Sequence, residues 1–335
     1  MRPTQDRRAN RPESIWPISR DEGRDEAASM SMRSIPALRP ITPMSTPQII
    51  LEQLLNGLSI GALYALVTAG LALTVSVLGV VNFAHGDLFT VGAFIFFGAY
   101  ITLGLSYVVA AVVTIIAMVV VGAVFSQVVI RPVVHRRWQV QLLATVAAST
   151  VINNSLIWWF GSIPRSTPTT LASTDVHFLG LSMSWQRVLI IVASLLAFGA
   201  LHVFLTHSRT GRAMRAISQN RDAAQAAGID LKRISLVTFI LGTGLIGLGD
   251  VLVTPVYTVF PTMGVLLTLK GFAVLVVAGF GRVDGAIAGA FLLGIAEAMG
   301  TQFISSSYTD AYAFLAMVLV LLVRPRGLFA RRVGI

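Results

Sequence analysis

An all-α polytopic membrane protein is the fold class this sequence predicts, and three observations predict it. Only 12% of its 335 residues are charged and 55% are hydrophobic, whereas soluble domains carry roughly 25% charge. Residues 53–86 and 88–130 hold no Asp, Glu, Lys or Arg, and one spanning helix needs about 20 apolar residues. The arginines behind the net charge of +10 gather beside such runs, as the positive-inside rule expects of cytoplasmic loops. No nucleic-acid-binding motif accompanies them, so nucleic acid is not an expected partner. Cysteine is absent, which excludes a disulfide frame, a thiol nucleophile and a cysteine metal cluster. The five histidines form no ligand pattern at helical spacing, so no metal site is expected.

In chain order, residues 1–43 come first and differ from the rest. They mix 8 Arg with 6 Asp or Glu, too polar a composition to bury a core, and are expected to be a disordered extension. They lack the apolar centre of a cleavable signal peptide. Met44, or else Met30 or Met32, is the expected native start, which the mass of the intact protein would decide. Residues 44–331 are then the transmembrane domain and 332–335 a short tail. The first span lies in 54–80, and 88–130 is long enough for two. Further spans are 138–161, 188–206, 234–256, 264–281, 285–303 and 311–323. The last is short and uses Tyr308 or Arg324 at the interface.

The basic loops 131–137 and 207–233, and the tail beginning at Arg324, are expected in the cytoplasm. Counting back from Arg131 puts the N-terminus outside, unless the stretch after Val81 is re-entrant. Counting forward, 163–185 falls outside with only Arg165 and Asp175; 257–262 and 305–310 also fall outside and carry no basic residue. The turn 282–284 falls inside.

Small residues recur every four positions at Gly57, Gly61, Ala65 and Ala69, and again at Gly281, Gly285 and Gly289. Such spacing lets helix backbones approach closely in a bilayer. The denser run from Gly242 to Gly249 predicts a crowded contact or a flexible helix. No Gly-x4-Gly-Lys-Ser/Thr occurs, so the chain has no P-loop ATPase site of its own.

Polar residues interrupt the apolar runs in two ways. Asn82, Phe83, His85 and Asp87 sit in a stretch whose Asn, Gly and Asp disfavour helix. Either it is a plain loop or a helix broken at the depth of a transported solute. Glu297 lies mid-span, with Asp250 and Lys270 as further intramembrane charges that are costly to insert. Structural pairing is the expected reading, with Asp250 and Lys270 a possible pair. Lys270 also has the option of snorkelling to the outer surface.

The loop 207–233 carries Arg209, Arg212, Arg215, Arg221, Lys232 and Arg233 against Asp222 and Asp230. Asp222 is expected to cap a two-turn helix over 223–227, stopped by Gly228 in the left-handed region. Its alanines make a narrow, rigid knob suited to a partner's cleft. Headgroup binding by a basic loop is the competing reading, and the small-residue face offers lipid little.

Asp222-Ala-Ala-Gln-Ala-Ala-Gly228 resembles the Glu-Ala-Ala-x3-Gly loop of ABC-importer permeases, with Asp in place of Glu. More closely, the chain resembles the branched-chain amino acid permease subunits (LivH-like). The matching pieces are Asn56-Gly-Leu-Ser-Ile-Gly-Ala-Leu-Tyr-Ala-Leu, Val81-Asn-Phe-Ala-His-Gly-Asp87, Gly211-Arg-Ala-Met-Arg-Ala, the stretch from Lys270 to Gly281, that from Gly285 to Glu297, and Leu322-Val-Arg-Pro-Arg-Gly-Leu328. The resemblance implies an importer permease bundle of about eight or nine helices with a short cytoplasmic coupling helix. It places Gly211, Arg212, Arg215, Asp222, Ala223, Ala224, Ala227 and Gly228 in the ATPase-coupling loop. It implies a LivM-like second permease, two ATP-binding subunits that bind the ATP, a periplasmic or lipid-anchored binding protein, and a multi-pass place in the bacterial inner membrane. This chain itself is expected to hold no cofactor. Two positions depart from the family: Asp250 stands where Ala or Gly is usual, and Gly271 replaces the common Ala after the lysine.

The function expected is therefore half of the pathway for branched-chain or other amino acids, or a related small polar solute such as urea or an amide. Asn82, Phe83, His85 and Asp87 are its expected lining. An ion-coupled secondary transporter using Glu297, Asp250 and His85 is the rival, and a non-transporting scaffold a third reading. An enzyme is not expected, because no nucleophile–base pair emerges.

Overall fold

The computed structural model describes residues 46–178, 181–279 and 282–329. The predicted N-terminal extension, the candidate starts, Gly281 and the extreme C-terminal tail lie outside the described residues.

Eleven helices carry the described chain: α1 (Thr46–Leu78), α2 (His85–Phe97), α3 (Tyr107–Phe125), α4 (Trp138–Phe160), α5 (Trp185–His207), α6 (Arg209–Gln219), α7 (Arg221–Ala226), α8 (Leu231–Val253), α9 (Met263–Ala278), α10 (Val283–Phe303) and α11 (Thr309–Val323). A single turn at Arg131–Val133 continues α3 through the π-helical Ser126–Ile130. Another turn, Thr170–Ser173, precedes a hairpin of β1 (Asp175–Phe178) and β2 (Leu181–Ser184). Among these, α1, α3, α4, α5, α8, α10 and α11 are long and apolar enough to cross a bilayer. The chain is a helical polytopic membrane protein.

The two remaining apolar helices are short. α2 has 13 residues and α9 has 16, or about 20 and 24 Å at 1.5 Å per residue, less than the roughly 30 Å of a hydrocarbon core. Each follows a break. α1 ends at Leu78, and Gly79 turns the chain at φ +69. Six residues later His85 opens α2 beside Val67, whose carbonyl its Nε2 meets at 2.9 Å. Val67 lies about 16 Å back up α1 from Leu78. The connection thus returns into the bundle without helix, and α2 starts at mid-depth. It still leaves on the outer side, because Tyr107, opening α3, bonds to Val251 near the outer end of α8. The re-entrant stretch therefore does not flip the count, and α1 begins on the side opposite Arg131.

The order long helix, break, short helix, long helix occurs twice in opposite directions: α1–α2–α3 and α8–α9–α10. The packing repeats with it. α1 lies antiparallel against α10, where a Cβ on Gly57 or Gly61 would stand 2.7 Å from the Cα of Ile295 or Phe291. α8 lies antiparallel against α3, with Gly247 and Gly122 closing on Met118 and Thr243. Gly70 and Gly242 meet where α1 crosses α8. The predicted close-approach roles of Gly57 and Gly61 are seen here. Gly285 and Gly289 face Phe329 and Ala278. The Gly242–Gly249 run lies in a continuous helix at a crowded contact.

Candidate functional site

The N-terminal turns of the two short helices meet in the interior. Gly86 of α2 faces Gly264 of α9 so closely that a Cβ on either would fall on the other's backbone. Both turns read Gly-x-Leu-x-Thr, Gly86 to Thr90 and Gly264 to Thr268. Thr268 Oγ1 accepts from Gly86 N at 2.8 Å and donates to Gly264 O at 2.9 Å. Thr90 Oγ1 donates to Gly86 O at 3.3 Å. Sequence reading singled out the first of these turns and missed the second, although the repeated Gly-x-Leu-x-Thr was visible.

Around this crossing lie the predicted pathway residues. Asn82 Oδ1 accepts from Ala84 N at 3.1 Å, shaping the turn into α2. Asp87 Oδ1 accepts from Asn153 Nδ2 of α4 at 2.9 Å, with Ser149 of the same helix alongside. Phe83 is half-buried and rests on Phe272, ring centroids 4.9 Å apart. Asn82, His85 and Asp87 are buried. Asn82 Nδ2, His85 Nδ1 and Asn153 Oδ1 have no hydrogen-bond partner among the described residues. Asn82, His85 and Asp87 are thus gathered with Asn153, which sequence reading did not name. Buried polar atoms are rarely left unpaired without a reason.

The predicted pairing of Asp250 with Lys270 is overturned. Lys270 Nζ lies 2.9 Å from Glu297 Oε1, 2.9 Å from Tyr64 Oη and 2.8 Å from Asp310 Oδ1. Its three N–H donors are therefore all used. Tyr64 in turn donates to Glu297 Oε2 at 2.9 Å. The cluster joins α1, α9, α10 and α11, and holds Lys270 buried instead of snorkelling. Asp250 sits elsewhere, fully buried on α8, with neither carboxylate oxygen partnered among the described residues. A Cβ at Gly92 of α2 would collide with its Oδ2. Glu297, Asp250 and His85 thus occupy separate surroundings and form no relay chain.

The basic loop 207–233 is folded throughout. Ser208 caps α6 by accepting from Gly211 N at 2.8 Å, and a Cβ on Gly211 would fall on Phe204 O. Arg212 and Arg215 donate to His207 O and Thr206 O, satisfying carbonyls at the end of α5. The predicted cap at Asp222 is corrected. Asn220 is extended at φ −154, ψ 108, and its Oδ1 accepts from Ala223 N at 2.9 Å. The helix therefore starts two residues earlier than predicted, and Asp222 lies in its first turn, favourable beside the exposed N–H groups. Gly228, at φ +83, ends it: Gly228 N donates to Gln225 O and Ile229 N to Ala224 O, the paired bonds of a Schellman stop. Ala224 faces inward and is buried, while Asp222, Ala223, Gln225, Ala226 and Ala227 are exposed.

Half-length helices meeting by their N-termini inside an inverted repeat, with a capped helical loop on the basic side, define the architecture of a membrane transport permease. The family described as Branched-chain amino acid transport system / permease component matches residues 53–323, and the chain belongs to it. It is 32% identical over 84% of its length to the high-affinity branched-chain amino acid transport system permease protein BraD of Pseudomonas aeruginosa, covering 96% of that protein. It is 30% identical, with the same coverage of both chains, to the LivH permease protein of Escherichia coli strain K12. The solved PsaBC from Streptococcus pneumoniae in complex with Fab is similar at TM-score 0.46 and 12% identity, over 81% of this chain and 91% of that one. The fold assignment rests on this chain's own helices and on the family match.

Proposed function

We propose that the chain forms one half of the pathway of an ATP-driven importer for branched-chain amino acids in the bacterial inner membrane. The observation that carries this is the pairing of a family match over 53–323 with a rigid, outward-facing α7 on the cytoplasmic side. The chain has no P-loop, so the energy comes from two separate ATP-binding subunits, and the chain binds no cofactor itself. α7 docks on them. Because the Schellman stop and the Asn220 cap fix both its ends, a displacement of α7 passes to α5 and α8 without being absorbed. A second, LivM-like permease completes the membrane portion, and a periplasmic or lipid-anchored binding protein delivers the solute. The solute passes the Gly86–Gly264 crossing, where Asn82, His85, Asp87 and Asn153 present buried polar atoms.

The test is uptake of labelled leucine by the assembled complex in vesicles. Uptake should require ATP and should fall at least tenfold in Ala226→Arg, which alters only the exposed face of α7. Ala224→Arg is unsuitable because Ala224 is packed inside the chain. Uptake that survives ATP depletion and collapses with an uncoupler would overturn the reading in favour of ion coupling. Absence of flux for any amino acid, urea or amide would favour the scaffold.

A further inference from the structure

A cavity of about 420 Å³ opens at the cytoplasmic ends of α1, α3 and α8, beside α7. Three separate segments bring cations to it: Arg131 after α3, with the imidazole of His135 beside it, Arg221 at the start of α7, and Lys232 and Arg233 at the start of α8. The lining holds one carboxylate, Asp230, whose Oδ1 accepts from the backbone N–H of Lys232 and Arg233. None of these cations has an ion pair among the described residues. Arg131 donates to Gln127 and Arg221 to Leu78 O. By contrast, Arg212 and Arg215 are spent on the end of α5 and point elsewhere. The positive-inside rule explains why basic residues lie on this side. It does not explain why they converge on one concavity.

The cavity's remaining wall is mostly apolar, with Leu78, Ile130, Val134, Leu231 and Leu236 beside the polar Ser126, Gln127 and Ser235. These residues lie at or beside the ends of the spanning helices α1, α3 and α8. On a neighbouring face of the same stretch, Phe125, Val128, Val129 and Pro132 line an open apolar groove between α3 and α4. A cationic rim over an apolar floor at the membrane surface matches an anionic phosphate on a lipid. A free nucleotide fits less well, since His135 is the lining's sole ring. An acidic protein surface would meet cations presented on a convex face, whereas here they ring a concavity walled by leucine, isoleucine and valine side chains.

We propose that this cavity binds the phosphate headgroup of an anionic phospholipid, with its acyl chains along α3. The headgroup bridges Arg221 of α7 to Lys232 and Arg233 of α8, so a bound lipid fastens the coupling helix to the transmembrane bundle. The test is native mass spectrometry of the full chain in detergent, titrated with phosphatidylglycerol, with phosphatidylcholine of the same chains, and with inorganic phosphate. Phosphatidylglycerol should be retained at least tenfold more tightly than phosphatidylcholine. Lys232→Ala with Arg233→Ala should weaken that retention roughly 30-fold, while Arg136→Ala, outside the lining, should leave it unchanged. Should the double alanine variant misfold, the charge-preserving Lys232→Arg with Arg233→Lys must keep the lipid, and high salt must release it. Equal retention of phosphatidylcholine, a double variant that binds as wild type, a charge-preserving variant that loses the lipid, or full displacement by an equal concentration of inorganic phosphate would each overturn the proposal.

Discussion

At the scale of residues, two of the buried ionisable sites contrast, the satisfied cluster around Lys270 and the orphan Asp250, and the two respond oppositely to removal. Lys270 is held by Glu297, Tyr64 and Asp310 at 2.8–2.9 Å. Deleting one partner strands a buried charge, which costs about 3–5 kcal/mol, whereas replacing both charges with apolar side chains of similar size is far milder. Lys270→Met alone should therefore lower the melting temperature of the purified protein sharply, and Lys270→Met with Glu297→Met should recover much of the loss. A double variant as unstable as the single one would show that the cluster is not acting as a pair. Asp250 has no partner for either oxygen among the described residues. An unsatisfied buried polar group costs about 1–3 kcal/mol, so Asp250→Ala should raise stability by that order in the same melting assay. A melting temperature that falls instead would mean that Asp250 has a partner in the assembled transporter or in another state.

At the scale of elements, the decisive feature is that α2 and α9 begin inside the bundle with backbones in contact. Gly86 and Gly264 have no room for a side chain, so Gly86→Ala must push the two N-terminal turns apart. The expected outcome is a folded chain with uptake reduced at least tenfold, or failure to accumulate; Gly98→Ala, where a Cβ meets nothing within 4 Å, should be silent. Normal uptake by Gly86→Ala would remove the crossing from the mechanism. Much of this scale was legible in the sequence. The interval-of-four glycines announced the α1 seam, and Asn82 to Asp87 announced a helix break. Two things were not legible, for physical reasons. The depth at which α2 starts depends on how far residues 79–84 climb back, which no local pattern encodes. The partner of Lys270 is set by helices distant in sequence, Tyr64 being 206 residues away, so nearness of charge along the chain misdirected the pairing to Asp250. The cap at Asn220 escaped because Asn and Asp are near-equal capping residues, and only the extended backbone at position 220 separates them.

At the scale of the whole molecule, burial is uneven in a way that asks for a second chain. α1, α8 and α10 form the interior, while α4 and α11 lie on the outside with few buried residues. Exposed apolar side chains on such helices suit lipid and need no partner. The exception is α4, where Thr150 and Asn154 are exposed one turn apart near the middle of the span. Asn154 Nδ2 donates to Thr150 O at 2.8 Å, which satisfies only part of its amide. Polar side chains at that depth favour contact with another helix over hydrocarbon. Asn153, on the adjoining face about 100° round the helix from Asn154, reaches Asp87, so this helix stands between the broken-helix site and whatever covers its outer face. The proposed second permease is therefore expected to pack on α4. Because the chain has no cysteine, a single Asn154→Cys is a clean probe. In the assembled complex it should cross-link to a cysteine placed on the partner permease and resist a lipid-soluble maleimide. Leu196→Cys on the exposed face of α5 should react with that maleimide freely. If position 154 reacts as fast as position 196 in the assembled complex, the partner lies on another face, and α4 keeps only its inward role of steadying Asp87.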